Sequence, residues 1–574
     1  MKNSAGKFVA AVMVVLIGGL LALIWTWVVE WQRLSEVERM MDSPLPSMTN
    51  SAGRTAGDAG NVEPGRVPAV PVATAPEKPP ETRATASVTA AKRAQEVPKA
   101  RNETVDAIKG EYVASFFNKS DRDKFAALAK ERGVEVVKVI DFGNSVLVRV
   151  KTPDAWDSLV KEGPVPVNQA PNLYVRAPEP LGSNVIAEVN YKPFGTRALD
   201  AVGVLPMNSG WGKGVLVAIL DTGIQPHAGM PEESISRMTL EGNGNMLADD
   251  YSGHGTAVAS LITGDTGVFG GMAPGASILN IKVLSPEGIG DAVTLARGIV
   301  EAVDRGAKII NLSLGSHGDN YLLKQAVAYA IGKGVALVAA VGNDGAEGVN
   351  FPARYDGVLA VAGVDAANRH LQFSNTGPQA AISAPGFGVT AVWTNDTLVG
   401  FSGTSVAVPF VSGALAMLLA RNPQMQPREA IDLICRYSDD IDEPGRDKET
   451  GYGVLNVKRV IDSNLKGVRD VAVGMPFIRI PKAETNSMKI VAYIQNRGTE
   501  RIDGVNMKVD INDESYPVHF SNVEVCQTVS REFTFGYDKF MLAGALVITC
   551  TAEIDGAADS NPSNNSIKTR LTRQ

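Results

Sequence analysis

Ser405 lies in GFSGTSVAVPF, directly before an apolar run that reads as a helix. A serine hydroxyl is a weak nucleophile until a neighbouring base takes its proton. A helix start adds free backbone N–H groups and a local positive potential. A base stands in SGHGTAVA, where glycines on both sides of His254 let other backbone approach. A carboxylate stands in VLVAILDTG, where Asp221 directly follows an apolar strand, and a side-chain amide in AAVGND, where Asn343 ends another. A carboxylate can fix the tautomer of an imidazole and stabilise its cation. An amide N–H can hold an oxyanion, and the backbone amide of Ser405 can supply a second donor. Singly, a GTS turn, a lone histidine and a Gly-Asn turn are ordinary. Together they are the equipment for acyl transfer through a covalent serine intermediate.

The order Asp221, His254, Ser405 is that of the subtilisins. In these four stretches the chain resembles the subtilisin-like serine peptidases (subtilases, peptidase family S8), over roughly residues 190–465. The resemblance implies a serine endopeptidase with an Asp221–His254–Ser405 triad, Asn343 as oxyanion donor and polypeptide substrates. Two departures stand out. Val406 replaces the methionine most members carry after the serine, which should spare activity and reduce sensitivity to oxidation. After HGT the chain reads AVAS, not the usual HVAG. Ser313-Leu314-Gly315 resembles the strand that pairs with substrate backbone, and Gly288-Ile289-Gly290 the opposing edge. Asn350, before Phe351-Pro352, falls where the family places the floor of the P1 pocket; an amide there suits small or polar side chains as well as apolar ones. Pro409 is expected near enough to the helix start for its missing N–H to cost little. Asp249 and Asp250 belong to the loop before His254, either solvent-exposed or cation-binding. The other histidines (His227, His317, His370 and His519) fall in expected loops or in the C-terminal module. No cofactor is required and no metal ligands are assigned; structural calcium is compatible, without assignable ligands. Three cysteines and five histidines leave no zinc-type array.

The elements that must hold these groups follow from periodicity. From 190 to 465, near-continuous Val/Ile/Leu/Ala strands alternate with amphipathic helices, the pattern of an α/β fold with a parallel sheet covered on both faces. Chemistry in such sheets gathers at the carboxyl ends of the strands. Residues 109–180 read as a small α+β domain in ferredoxin-like β-α-β-β-α-β order. Its position makes it look like an inhibitor-I9-like propeptide, with an unrelated adaptor of the same topology as the alternative. Residues 466–574 carry short alternating strands with turns between, an immunoglobulin-like sandwich pattern. There IQNRGTERIDGVNMKVDIND and EIDGAADSNPSNNS are similar to CARDB-type modules, which implies a surface partner for this region. Cys526 and Cys550 could pair or be separate buried thiols, and Cys435 reads as a small core hydrophobe.

Residues 1–41 hold Phe8–Val29, an uncharged apolar run of 22 residues, long enough to span a bilayer. Lys2 and Lys7 precede it and a mixed charge set follows. The positive-inside rule therefore puts the N-terminus in the cytoplasm and the rest outside. The run exceeds a signal-peptide core and lacks an A-x-A-like site, which favours an anchor over a cleaved leader. Residues 42–108, rich in proline, alanine and small polar residues, read as a linker without fixed structure. A formal net charge of −7 with no basic cluster argues against nucleic acid. The expectation is a membrane-anchored extracytoplasmic endopeptidase; a cut by Ser405 in its own junction near 180–195 would activate and release it, and a segment that stays attached as a permanent spacer is the alternative. A catalytically silent peptide-binding pseudoprotease and a surface adhesion scaffold are the alternatives.

Overall fold

A computed structural model describes residues 84–87, 106–177, 190–204, 208–240, 253–395, 397–479 and 487–572. The expected membrane helix, most of the expected linker, most of the 180–195 junction, and Asp249 and Asp250 lie outside the described residues.

Seven parallel strands form the central sheet. Their spatial order is Ala380–Pro385, Leu359–Val364, Ala336–Ala340, Ile309–Leu312, Leu216–Asp221, Ser277–Lys282 and Ile235–Thr239. Both faces are buried except along the edge strand Ile235–Thr239, which is why the inner strands are apolar at nearly every position rather than at alternate ones. Val217 and Ile219 face the helices His254–Thr263 and Thr404–Arg421. Ala218 and Leu220 face the opposite layer, the helices Ala292–Asp304 and Tyr321–Gly332. Those two helices start on side-chain caps: Asp291 accepts from Val293 and Thr294 N–H, and Asn320 from Leu323 N–H. Thr404–Arg421 is apolar all round because it runs through the interior. Among the described residues it alone is long and apolar enough to cross a membrane, yet 89% of it is buried in the fold.

The N-terminal domain has the expected β-α-β-β-α-β order, from Ala107–Ser115 to Asn168–Arg176. One face of its four-stranded sheet closes on its own two helices around Phe125, Trp156 and Leu159. The other face, with Val113, Leu147 and Val175, packs on the helical layer of the central domain. Its first strand begins at Ala107, inside the last residues of the expected linker.

The C-terminal region is all-β apart from the short helix Tyr537–Ala543. Its two sheets enclose alternating residues such as Met488, Ile490 and Ala492 from one, and Val505, Met507 and Val509 from the other. Ala84–Ser87, also from the expected linker, adds a parallel edge strand beside Ser566–Thr572. All three cysteines are free thiols. Cys550 is inside the sandwich, whereas Cys526 packs outward against the central domain, so the pairing considered from sequence is not made. Cys435 is buried as expected, and burial pushes its thiol up to about 12.

Candidate active site

Asp221 ends its strand fully buried, and its Oδ1 accepts from the Thr222 N–H at 2.7 Å and faces His254 Nδ1 at 2.8 Å. His254 is the first residue of its helix, so the imidazole is carried by a helix start abutting a strand end. The neighbouring glycines make the approach feasible. A Cβ on Gly255 would sit 2.2 Å from the Gly223 carbonyl oxygen, and Gly253, at φ +88°, would press one into Trp393 at 2.4 Å. The edge of Phe401 closes over the imidazole, with ring centroids 5.4 Å apart.

Ser405 is the second residue of Thr404–Arg421 and is 1% exposed. Asn343, just past the end of the Ala336–Ala340 strand, reaches the residue before Ser405. The Asn343 Oδ1 accepts from both the Thr404 N–H and the Thr404 hydroxyl, each at 2.9 Å. Those two bonds orient the amide so that Nδ2 lies on the Gly403 side, where an added Cβ would meet it at 3.0 Å. Nδ2 and the Ser405 Oγ are buried atoms with no hydrogen-bond partner among the described residues. An unpaired buried N–H costs about 1–3 kcal/mol. Its placement suits an acceptor that arrives with a ligand.

Pro409 is the sixth residue of the helix, beyond the first four N–H groups that lack helical partners, so the estimate from sequence needs correction. Its missing N–H leaves the Ser405 carbonyl without a helical donor. The Ser313 hydroxyl donates to that carbonyl at 2.9 Å.

The segment expected to bind substrate backbone is occupied by the chain itself. Arg176 and Gly315 exchange backbone hydrogen bonds, both 2.9 Å, and the Ala177 N–H donates to the Gly288 carbonyl at 2.8 Å. Tyr174, Val175 and Arg176 pair antiparallel with Asp291, Gly290 and Ile289. The last strand of the N-terminal domain thus runs between the two edges read from sequence. Of those residues, Gly288 and Gly315 meet it through backbone, while the side chains of Ser313 and Leu314 are buried inward. Asn350 stands between Gly315 and Gly342, near enough that a Cβ on either would touch it.

Beside this strand lies a charged cluster that sequence reading missed. His317 Nδ1 is 2.6 Å from Asp106 Oδ2, and Nε2 is 3.0 Å from Asp344 Oδ2. Asp106 also accepts from Arg176 Nη1 at 2.8 Å. Asp344 receives amide contacts from Asn350 and Asn375, both at 3.4 Å. The hydrogen bond to Asp344, aided by Asp106 and opposed by burial, holds the His317 imidazolium above the usual histidine range. The same His317 bond, against burial, holds the Asp344 carboxyl down at about 2. Burial pushes Asp106 up, but Arg176 and His317 outweigh it and keep that carboxyl below its usual range. Among the described residues no group of three or more His, Cys, Asp or Glu side chains could hold a metal ion.

The comparisons with known proteins point one way. A family model described as the Subtilase family (Peptidase_S8) matches residues 212–453. The chain is 40% identical over 232 residues to the thermostable alkaline protease of Halalkalibacterium halodurans, covering 40% of this chain and 63% of that one. It is 36% identical over 250 residues to the minor extracellular protease Epr of Bacillus subtilis, covering 43% and 38%. It is 33% identical over 318 residues to the alkaline protease of Alkalihalobacillus alcalophilus, covering 54% and 80%. The chain therefore spans less than two thirds of the length of the first two relatives.

Proposed function

Since the chain belongs to the subtilase family of serine endopeptidases, we propose that it hydrolyses polypeptides with Ser405 as nucleophile, His254 as general base and Asp221 as the carboxylate that orients it. The observation that carries this reading is the buried 2.8 Å contact between Asp221 and His254 Nδ1. It directs Nε2 away from the carboxylate, as a base acting on a serine requires. Ser405 Oγ attacks the scissile carbonyl while Nε2 takes its proton. The new oxyanion sits between the Asn343 amide and the Ser405 N–H. Collapse breaks the C–N bond, the amine leaves with the proton from His254, and an acyl-enzyme remains. Water, deprotonated by the same imidazole, then frees the acid and restores the serine. Substrate enters as a strand between Gly288 and Gly315, and Asn350 lies beside the pocket for its P1 side chain.

The N-terminal α+β domain serves as an inhibitory propeptide: Tyr174 to Ala177 fill the edge a substrate strand needs. Phe8–Val29 anchors the chain with its catalytic domain outside the cytoplasm, and cleavage beyond Ala177 releases the protease. The sequence pattern of that run supports the anchor, and the relative named as extracellular agrees with the location.

Hydrolysis of an unfolded protein substrate by the mature chain and by Ser405→Ala tests the reading. A loss of about a millionfold is expected, the scale measured for the equivalent change in subtilisin. Equal hydrolysis by both would overturn it.

A further inference from the structure

The carbonyl of Ser405 lies at a gap in its own helix. In an α-helix the C=O of one residue accepts from the N–H four residues on, and here that residue is Pro409, which has none. The Ser313 hydroxyl fills the gap at 2.9 Å. Ser313 Oγ in turn accepts from Asn311 Nδ2 at 3.0 Å, and Asn311 Oδ1 accepts from the Ser412 hydroxyl at 2.9 Å. Asn311, Ser313 and Ser412 are all 0% exposed. The direction of the chain is set chemically. An amide nitrogen only donates, so the Ser313 hydroxyl accepts there and keeps its single proton for the Ser405 carbonyl. The path leaves the helix at Ser405, crosses to the Ile309–Leu312 strand at Asn311 and returns to the helix at Ser412. It is a closed clamp on the first turns of the helix.

Two residues past Ser313, the Gly315 backbone pairs with the bound strand. One hydroxyl therefore ties the peptide of Ser405 to the edge that carries the substrate. We propose that Ser313 is a positioning residue for the reaction: with Asn311 and Ser412 it holds the Ser405 peptide, hence its Oγ and N–H, in register with the substrate strand, a role the Pro409 gap creates. This rests on Ser405 being the nucleophile.

The gap supplies its own test. In Pro409→Ala the restored N–H at position 409 can bond the Ser405 carbonyl and make the Ser313 hydroxyl redundant. Steady-state kinetics of the mature protease on a peptide substrate would be compared for the parent, Ser313→Ala, Pro409→Ala and the double variant, with Ser405→Ala alongside. Ser313→Ala is expected to lower kcat about 10–100-fold, the scale of a small misplacement of a reacting group, with KM within about twofold. Adding Pro409→Ala should recover about tenfold or more of that kcat. The Tm should recover only in part, because the Asn311 amide stays unpaired in the double variant. A role confined to stability would move Tm and kcat together. If Ser313→Ala fails to fold, Ser412→Ala carries the test, with about a three- to tenfold loss that Pro409→Ala reverses. An inactive Ser405→Ala beside an unchanged kcat in Ser313→Ala would overturn the proposal, as would a loss that Pro409→Ala does not relieve. Activity retained by Ser405→Ala would overturn this proposal and the nucleophile assignment together.

Discussion

At the scale of single residues, Asn343 joins folding to the proposed chemistry: its oxygen caps Thr404, and its buried nitrogen, without a partner among the described residues, is the donor proposed for the oxyanion. Asn343→Leu should therefore lower kcat by about 10²–10³, the cost of losing this donor in subtilisin, about 2.7–4 kcal/mol, with KM little changed. Progress curves on a peptide ester and amide would measure it; a loss confined to KM would contradict the oxyanion role. The pairing of Asp221 with His254 and the approach of Asn343 to the turn before Ser405 could be expected from sequence because each residue is marked locally, by a strand ending in an acid or amide or by a helix opening on glycine and serine. Ser313 was found for its backbone, while its side-chain role depends on where Pro409 falls in a helix whose first residue sequence could not locate. His317 was passed over for a different reason. Its carboxylate partner Asp106 is 211 residues away, so no local pattern announces it.

At the scale of elements, the decisive feature is the strand Asn168–Arg176, latched beside the active site by Asp106, His317 and Asp344. The order of this domain could be read from periodicity. Its docking could not, because backbone pairing to Gly288 and Gly315 leaves no trace in side-chain pattern. Both ring nitrogens of His317 face carboxylates, so the latch is satisfied by the imidazolium. Its raised pKa means the stabilisation is fully present below the ordinary histidine value and is lost as pH rises through the latched value. The depressed Asp106 and Asp344 act at the other end: their contribution is present above the ordinary carboxylate range and lost as pH falls through their lowered values. Docking should be firmest from about pH 4 to 6.5 and loosen toward alkaline pH. Hydrogen exchange at Tyr174 to Ala177 in full-length Ser405→Ala should quicken from pH 6 to 9 beyond the intrinsic rate, and His317→Gln should flatten the dependence. Protection that is independent of pH in the parent would refute the latch.

At the scale of the whole molecule, the C-terminal sandwich is bound to the central α/β domain by buried and half-buried polar contacts rather than hung from it. Arg497 pairs with Asp439 at 3.1 Å, and Gln495 spans the Asp440 N–H and the Ser438 carbonyl, both at 3.1 Å. The sequence marked the change of texture near 466 but not this junction, which is assembled from both sides. The loop there also holds crowded acids. Burial, then repulsion from Asp447, Glu449, Glu443 and Asp440, pushes the Asp442 carboxyl up to about 7. An acid raised on folding costs stability as pH climbs above its unfolded value of about 3.9, and the cost levels off above the folded one. Asp442 also holds φ +67°, a conformation that asparagine accepts readily. Asp442→Asn should raise Tm by about 2 °C or more at pH 8 and leave it unchanged at pH 4. Calorimetry at the two pH values decides this; an equal shift at both would reject the electrostatic account.

The central claim, that Ser405 is the nucleophile of a protease whose first substrate is its own docked strand, is met most directly by one blot. Full-length chain with a C-terminal tag would be expressed as wild type and as Ser405→Ala, then separated into membrane and soluble fractions, with intact masses measured. A shorter soluble wild-type product, cut beyond Ala177, beside a full-length membrane-bound variant is the predicted result. The same pattern in both chains, processed or unprocessed, would contradict it.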